Sequence, residues 1–552
     1  MTTSTPAPST AGRGPTASED TSRSGRAVWW RTYRHHLRLL RTSSIAWIAG
    51  LTGISAGVAV TVEDRIGTEA ERQALAAMED IPAFVALQGR MVEIATMEGF
   101  TLARWGMFAI LVAVWSMLAA ARLLRGAEES GHVEPLRAGA LTPRGLFAAG
   151  IAALLTTHAL FALAIGVSHT AVGMDVATAW ALGGAAALLA ATFAAAGALA
   201  SQLVATRRRA VGLVGALLGV TLGTRVVAAA TATPEWVWWA TPFGWMGFLH
   251  ESDGARTAVF AGFAALVVVL VAVGFVAAQR QLHAGLFGGG GGAMRPRRQL
   301  RGQRGLAARL AVGSSGVWAV VIGVVVLVLG LLARDFVDAV AELGTMVEVA
   351  RELFGMELDT AEGMVAATYF FVAVLLAACA AGLAAAMREE EATWRLEHLL
   401  VRPLGRTRWL VTRVTVAAAA LVVLALSSAV VAWLATMISG APVALADAML
   451  AALNVVPVGL LALGIGVAVL GVVPRLTAPV TYGFVVVAFL LDFVGPFLDL
   501  PSWVLEATPF RHIAAVPAVA LDLGSGAWMI AVAVAGVVVG LLCFARRDLK
   551  EA

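Results

Sequence analysis

Lysine, and charged residues in general, are scarce in this sequence. Of the 552 residues, 14% are charged and 59% are hydrophobic, and the only lysine is Lys550. A soluble protein usually has about 25% charged residues. The phosphate-binding loop of P-loop ATPases needs a lysine after a glycine-rich turn, and no such turn precedes Lys550. The composition therefore excludes a water-soluble enzyme and predicts a chain without an ATPase site of its own.

Cysteine is also rare. Cys379 and Cys543 both lie inside apolar segments, where a buried thiol is the usual interpretation. Two such cysteines provide neither a disulfide framework nor a metal cluster. Since the sequence also shows no nucleophile with a neighbouring base, we expect no catalytic residue, no metal and no cofactor in this chain.

Long apolar runs are abundant instead, and the mean hydropathy is +0.82. The runs are continuous rather than alternating, which argues against a β-barrel, and each reaches the length of about 20 residues that a helix needs to cross a bilayer. The predicted fold class is an all-α polytopic membrane protein with about twelve transmembrane helices. The predicted spans are 44–62, 103–124, 146–170, 178–203, 210–231, 257–278, 314–333, 365–387, 409–437, 444–470, 477–498 and 526–545.

The distribution of arginine predicts the orientation of the spans. Thirty-one of the 40 Lys and Arg residues fall in the termini and in the loops on the same side, and eight fall in the loops on the other side. Basic loops stay in the cytoplasm. We therefore expect a plasma-membrane protein with both termini in the cytoplasm. The same distribution explains the net charge of +4 without nucleic acid as a partner.

Short stretches that recur at a nearly constant offset indicate an internal duplication. The clearest pair is PEWVWWATPF at 234–243 and PSWVLEATPF at 501–510, and another is QRQL at 279–282 and RRDL at 546–549. Six spans per half is an even number, so the halves are expected to insert in parallel, related by a pseudo-twofold axis along the membrane normal. The predicted organisation is a disordered tail at 1–25, a first half at 26–284, a Gly/Arg-rich cytoplasmic linker at 285–305 and a second half at 306–552.

A charged cytoplasmic loop follows the second span of each half. Both loops have a pair of glutamates, then a further glutamate, a leucine-rich turn and an arginine-containing stretch. Acidic residues at the start and basic residues at the end suit the dipole of a short amphipathic helix. A solvated loop is the alternative, but recurrence in both halves favours a protein-docking surface. The candidate residues are Glu128, Glu129, Glu134, Glu390, Glu391, Glu397 and Arg406.

A basic, aromatic segment at 26–43 precedes the first span. Arginines alternate there with tryptophan and leucine, which predicts an amphipathic helix at the membrane interface. The candidate residues are Trp29, Trp30, Arg34 and Arg38. They serve either as a plain membrane anchor or as a contact for a partner, and the composition fits both.

Three polar residues fall inside predicted spans. Arg225 and Asp492 are separated by the local repeat offset, so they occupy equivalent positions in the two halves. A charge in mid-span costs about 2.5–3.5 kcal/mol, so such residues usually face the bundle interior. We hypothesise an ion pair that gates the export path; snorkelling of each side chain to water is the alternative. His158 either contacts substrate or, more simply, is a hydrogen-bonded packing histidine.

Two six-span halves, an amphipathic helix before each, the acidic loops and the ATPF segment before each last span resemble the ABC-2 type exporter permeases. The fused twelve-span form is similar to actinobacterial permeases that export polyketide antibiotics of the tetronasin type and multiple drugs. The resemblance implies a separate cytoplasmic ATPase, bound as two copies, which binds ATP and Mg²⁺. It also implies that 126–144 and 389–408 are coupling helices and that 26–42 is a connecting helix on the ATPase.

The expected function is that of the permease subunit of an ATP-binding-cassette exporter, which is not an enzyme by itself. The apolar spans favour hydrophobic or amphiphilic compounds, such as an antibiotic, a drug or a lipid, as cargo. The alternative is a proton-coupled secondary transporter with a 6+6 helix architecture. That alternative needs a set of intramembrane carboxylates, and Asp492 is nearly alone.

Overall fold

The computed structural model describes most of the chain, and every regular element in the described residues is helical. Within them, twelve helices are long and apolar enough to cross a membrane, which confirms the predicted all-α polytopic fold. The described residues are 17–65, 69–76, 79, 85, 88–131, 133, 141–230, 234–251, 253–279, 302–342, 360–393, 395–401, 405–494 and 501–547.

The twelve long helices correspond one to one to the predicted spans. Helices are expected here because a bilayer offers no water to backbone N–H and C=O groups, which must bond within the segment. In chain order the helices are α1 (Ala17–Arg65), α2 (Met97–Ala121), α3 (Pro143–Ala171), α4 (Val176–Leu203), α5 (Arg207–Ala230), α6 (Asp253–Ala277), α7 (Gly302–Leu331), α8 (Ala361–Ala392), α9 (Arg406–Ser439), α10 (Leu445–Val472), α11 (Thr477–Val494) and α12 (Leu523–Arg546).

Shorter helical pieces lie between them. The α-helical pieces are Glu69–Ala76, Ala127–Glu129, Trp236–Trp239, Pro242–Trp245, Ala333–Glu342, Arg395–Leu400 and Ser502–Glu506. Three 3₁₀ turns lie at Met246–His250, Pro474–Leu476 and Pro509–His512, and a π-helical turn lies at Arg122–Gly126.

Residues 26–43, predicted as an amphipathic interfacial helix, are helical but do not form an element of their own. The basic segment and the first span form a single 49-residue helix, α1. No proline or glycine lies between Arg26 and Ala49, so the backbone hydrogen bonds continue from the basic part into the apolar part. Helix α1 begins at Ala17, inside the segment predicted as a tail, and residues 1–16 lie outside the described residues.

The glutamate pairs also lie elsewhere than in separate loop helices. Glu390 and Glu391 belong to the last turns of α8, and Glu128 and Glu129 end the helical continuation of α2 through the π-helical turn. Within the described part of the second loop, only Arg395–Leu400 forms a helix of its own. The long helices therefore continue past the predicted span ends.

The chain divides into two compact units. The first contains Met1–Ala59, Arg104–Thr221 and Pro242–Gly292, and the second contains Val60–Ala103, Leu222–Thr241 and Ala293–Ala552. Segments 60–103 and 222–241 of the predicted first half therefore belong to the second unit. The pseudo-twofold relation and the domain bounds stay predictions.

Glycines allow a close contact between α10 and α12 in the second unit. A Cβ atom on Gly540 would collide with the carbonyl of Val467, and one on Gly471 would collide with the carbonyl of Gly540. Small residues let transmembrane helices approach backbone to backbone, where van der Waals packing replaces the hydrophobic effect. This contact positions the end of α12 beside the end of α10.

Candidate functional site

A buried ion pair lies at the arginine-rich helix ends of the second unit. The carboxylate of Glu391, in the last turn of α8, accepts hydrogen bonds from Arg547 Nη1 and Nη2 at 2.6 and 2.7 Å. Its side chain is 3% exposed, and Arg388 Nη1 lies 3.3 Å away as a second cation. Arg547 also donates to the Leu470 carbonyl at 3.3 Å. The end of α12 is thereby held to the ends of α8 and α10.

Glu390 joins α8 to a different neighbour. Its carboxylate pairs with Arg413 of α9, whose side chain is 8% exposed. Arg413 also donates to the Ala307 carbonyl of α7 at 3.5 Å. Arg406, at the start of α9, donates to the Arg547 carbonyl at 3.1 Å. We call the following set the helix-end clasp: Arg388, Glu390, Glu391, Arg406, Arg413 and Arg547.

The glutamate pair of the first half has other partners. Glu128 pairs at 2.7 Å with Arg125, three residues earlier, and both side chains are almost fully buried. Glu129 is exposed and accepts a hydrogen bond from the backbone N–H of Arg207, at the start of α5, at 2.8 Å. The π-helical turn that precedes this pair is of a kind often found at functional sites. The two glutamate pairs are therefore held unequally.

Glu397 differs from the clasp glutamates because its side chain is exposed. It lies on the short helix Arg395–Leu400, which is fixed by Leu396, only 1% exposed. Glu397 and Glu129 thus present carboxylates at the surface. The carboxylates of Glu128 and Glu391 instead form buried ion pairs that hold helices in place. Glu134 lies outside the described residues.

The basic segment of α1 carries a stacked aromatic group. The rings of Trp29, Trp30 and Tyr33 lie 5.0 to 6.1 Å apart by their centroids, and Arg34 lies 5.4 Å above the Trp30 ring. The Tyr33 hydroxyl shares a hydrogen bond with a hydroxyl of α3 at 2.9 Å. Arg38 and Trp30 are exposed. The segment is therefore fixed on α3 and leaves part of its aromatic surface open.

His158 packs inside the first unit. Its side chain is 2% exposed, its Nε2 shares a hydrogen bond with the Ser116 hydroxyl at 3.2 Å, and the Trp115 ring meets it edge-on at 5.6 Å. These contacts are those of a packing histidine, and a substrate contact stays a prediction.

Asp492 forms a polar contact near the end of α11. Its carboxylate lies 3.3 Å from Arg511 Nε and accepts a hydrogen bond from the Thr508 hydroxyl at 3.2 Å. Arg225 is buried in α5, at 2% exposure. Pairing of Arg225 with Asp492 stays a prediction, and Arg511 is a cation that the hypothesis did not consider.

Sequence reasoning missed the arginines that neutralise the glutamates. Glu391 and Arg547 are separated by 156 residues, and Glu390 and Arg413 by 23. No local pattern specifies such pairs, because helix packing decides which span ends meet. The available signal was the position of an arginine at the end of an apolar run, which indicates a side chain at the edge of the bilayer.

Comparison with known proteins finds a family and a relative to which this chain is similar. The family described as "Multidrug efflux system permease Rv1217c, C-terminal domain" matches residues 35–278 and 300–545. The multidrug efflux system permease protein Rv1217c of Mycobacterium tuberculosis (strain ATCC 25618 / H37Rv) is 28% identical over 540 residues, which cover 94% of this chain and 94% of that protein. Both glutamate pairs fall within the matched residues.

Proposed function

The chain belongs to this family of multidrug efflux permeases, since the match covers most of its length, and on that premise we propose that it is the membrane subunit of an ATP-driven exporter. The proposed cargo is a hydrophobic or amphiphilic compound, such as an antibiotic or another drug. The relative is a multidrug efflux permease, which supports the outward direction of transport. The abundance of arginine on one side supports a cytoplasmic location for both termini.

The proposed energy source is a separate cytoplasmic ATPase, bound as two copies that hold ATP and Mg²⁺. Two features support this partner. The sequence has no lysine in a phosphate-binding loop, and each half ends its second span with a glutamate pair at the arginine-rich side. The exposed carboxylates of Glu129 and Glu397 are the proposed contacts, together with the aromatic surface of α1.

The helix-end clasp is the observation that carries the proposal. A force applied by a partner to the segment after α8 reaches α9 through Glu390 and α12 through Glu391, because both carboxylates are held by arginines of those helices. Ion pairs and packed helices transmit such displacements because they have few alternative arrangements. In the proposed cycle, ATP-driven closure of the partner tilts these helices together and opens a path for the cargo.

Affinity purification of the full chain in mild detergent tests the proposed partner. We expect a P-loop ATPase to be recovered with the chain, and we expect Glu397→Lys together with Glu129→Lys to reduce its recovery. Glu506→Lys is the matched control, since Glu506 is exposed and lies on the segment predicted outside the cell. Purification of an intact, folded chain without any P-loop protein would contradict the proposal.

A further inference from the structure

An open cavity of about 580 Å³ lies between the first turn of α3 and the last turn of α6. Arg144, Gln279 and Thr142 form its polar side, and Phe275 and Ala148 form its apolar side. Its volume is within the range of small-molecule sites. Because α3 begins and α6 ends here, the cavity lies at the level where two spans leave the apolar layer.

The walls of the cavity are held by close packing. A Cβ atom on Gly274 of α6 would lie 2.6 Å from Cζ of Phe147 of α3, so the two helices approach closely beside the opening. Phe147 is 2% exposed. Thr142 accepts a hydrogen bond from the Gly145 backbone N–H at 3.0 Å, which fixes the first turn of α3. The site is therefore formed by helices rather than by a loose loop.

The guanidinium of Arg144 brings one positive charge to the cavity, and the described groups that contact it are neutral. The Arg144 guanidinium lies 5.3 Å above the Phe275 ring, and with the Gln279 amide oxygen turned towards it, that oxygen accepts from Nη1 at 2.8 Å and from Nη2 at 2.6 Å. Within the described part of the chain this guanidinium has no carboxylate partner. An anion bound in the cavity would form an ion pair with the Arg144 guanidinium.

An exposed apolar stripe of α6 leads to the cavity. Val268, Ala272 and Phe275 are exposed, Val268 by 66% and Phe275 by 39%. Their spacing of four and three residues places them on one face of the helix. Since α6 is apolar enough to span a membrane, this face is one that lipid chains cover.

The other half has a different arrangement at the corresponding place. The recurring stretches align Gln279 with Arg546 and Arg280 with Arg547. In the second half Arg547 is neutralised by Glu391, and Arg406 is bonded to the Arg547 carbonyl. Arg547 thus has a carboxylate partner within the protein, whereas Arg144 contacts neutral groups among the described residues.

We propose that this cavity binds an anionic phospholipid. The lipid phosphate pairs with Arg144 and Gln279, and an acyl chain lies along the exposed apolar stripe of α6. A cationic pocket at the edge of a span next to an apolar surface matches both parts of such a lipid. The proposal is independent of transport, so its failure would leave the proposed function intact.

Native mass spectrometry of the delipidated full chain tests the site, with phosphatidylglycerol and phosphatidylcholine of identical acyl chains as probes. We expect preferential binding of phosphatidylglycerol. Arg144→Ala should weaken phosphatidylglycerol binding about tenfold, as expected for loss of one charge-assisted pair, and should leave phosphatidylcholine unchanged. Arg144→Lys should retain most of the preference. Ala148→Phe, which fills the cavity, should weaken binding with the charge intact.

Arg208→Ala is the matched control, since Arg208 is an exposed arginine on the same side, at the start of α5. An equal loss in this control, or no loss in Arg144→Ala, would overturn the proposal in favour of diffuse surface charge. Displacement of the lipid by glycerol phosphate at equal concentration would overturn it in favour of a soluble phosphate site. Loss of ATPase recovery in Arg144→Ala with unchanged lipid binding would overturn it in favour of protein docking.

Discussion

Removal of the Glu391 carboxylate should destabilise the second unit more than removal of Arg547. Glu391 is 3% exposed and faces two guanidinium groups, Arg547 at 2.6 Å and Arg388 at 3.3 Å. Breaking a buried ion pair by deleting one partner costs about 3–5 kcal/mol, because the other charge stays buried. Glu391→Ala leaves two arginines without their carboxylate and should cost the upper part of that range. Arg547→Ala leaves Glu391 paired with Arg388, so only the hydrogen bonds from Arg547 are lost, and it should cost about 1–3 kcal/mol.

The assay is thermal unfolding in detergent, followed by tryptophan fluorescence, on the two single variants and the double variant. The melting temperature should fall most for Glu391→Ala, less for Arg547→Ala, and in the double variant by less than the sum of both. The neighbouring Arg546→Ala is the matched control, since Arg546 is exposed, and should leave the melting temperature unchanged. Additive effects of the two variants, or equal losses in Arg546→Ala and Arg547→Ala, would refute the account of the clasp.

Three further predictions concern other parts of the chain. Gly540→Ala should lower the stability by about 1–3 kcal/mol through overpacking, while Gly316→Ala, where a Cβ meets open space, should not; equal melting temperatures would contradict this. A hydroxyl and a backbone N–H of the first turn of α12 hold the pKa of Asp522 below its usual value, so this carboxylate stabilises the fold above about pH 4 and loses that effect as the pH falls through its lowered pKa. The free energy of unfolding of the Asp522→Asn variant should therefore change less between neutral and acid pH than that of the unchanged protein. An identical pH profile for the two proteins would contradict the stabilising role of this carboxylate. Charge exchange, Arg225→Asp with Asp492→Arg, should restore transport lost in each single change, and no recovery would remove support for the ion pair.

Hydropathy predicted the membrane helices well because the bilayer itself imposes the rule. A span needs about 20 apolar residues with its backbone bonded internally, so each apolar run in the sequence became a helix. The segment at 26–43 is helical as predicted, but its continuity with the first span was not foreseen. A change from basic to apolar residues marks the membrane boundary, but it does not end a helix, and α1 continues through it.

The candidate site was predictable only in part. The recurrence of the glutamate pairs at 128–129 and 390–391 indicated an important region of the sequence. Their environments were not predictable, because burial of Glu391 depends on an arginine far along the chain, and exposure of Glu397 depends on the anchor Leu396. Glutamates in the same sequence pattern can therefore be buried in ion pairs or exposed at the surface, and the packing of the helices decides which of the two occurs.

Energy coupling in inside-out membrane vesicles tests the central claim most directly. A fluorescent hydrophobic drug is supplied outside vesicles that contain the chain and its proposed ATPase, and its accumulation is followed with ATP and with a proton gradient separately. The account predicts accumulation that requires ATP hydrolysis and persists after an uncoupler collapses the proton gradient. Accumulation that continues without ATP and stops with the uncoupler would contradict it and would establish the proton-coupled alternative.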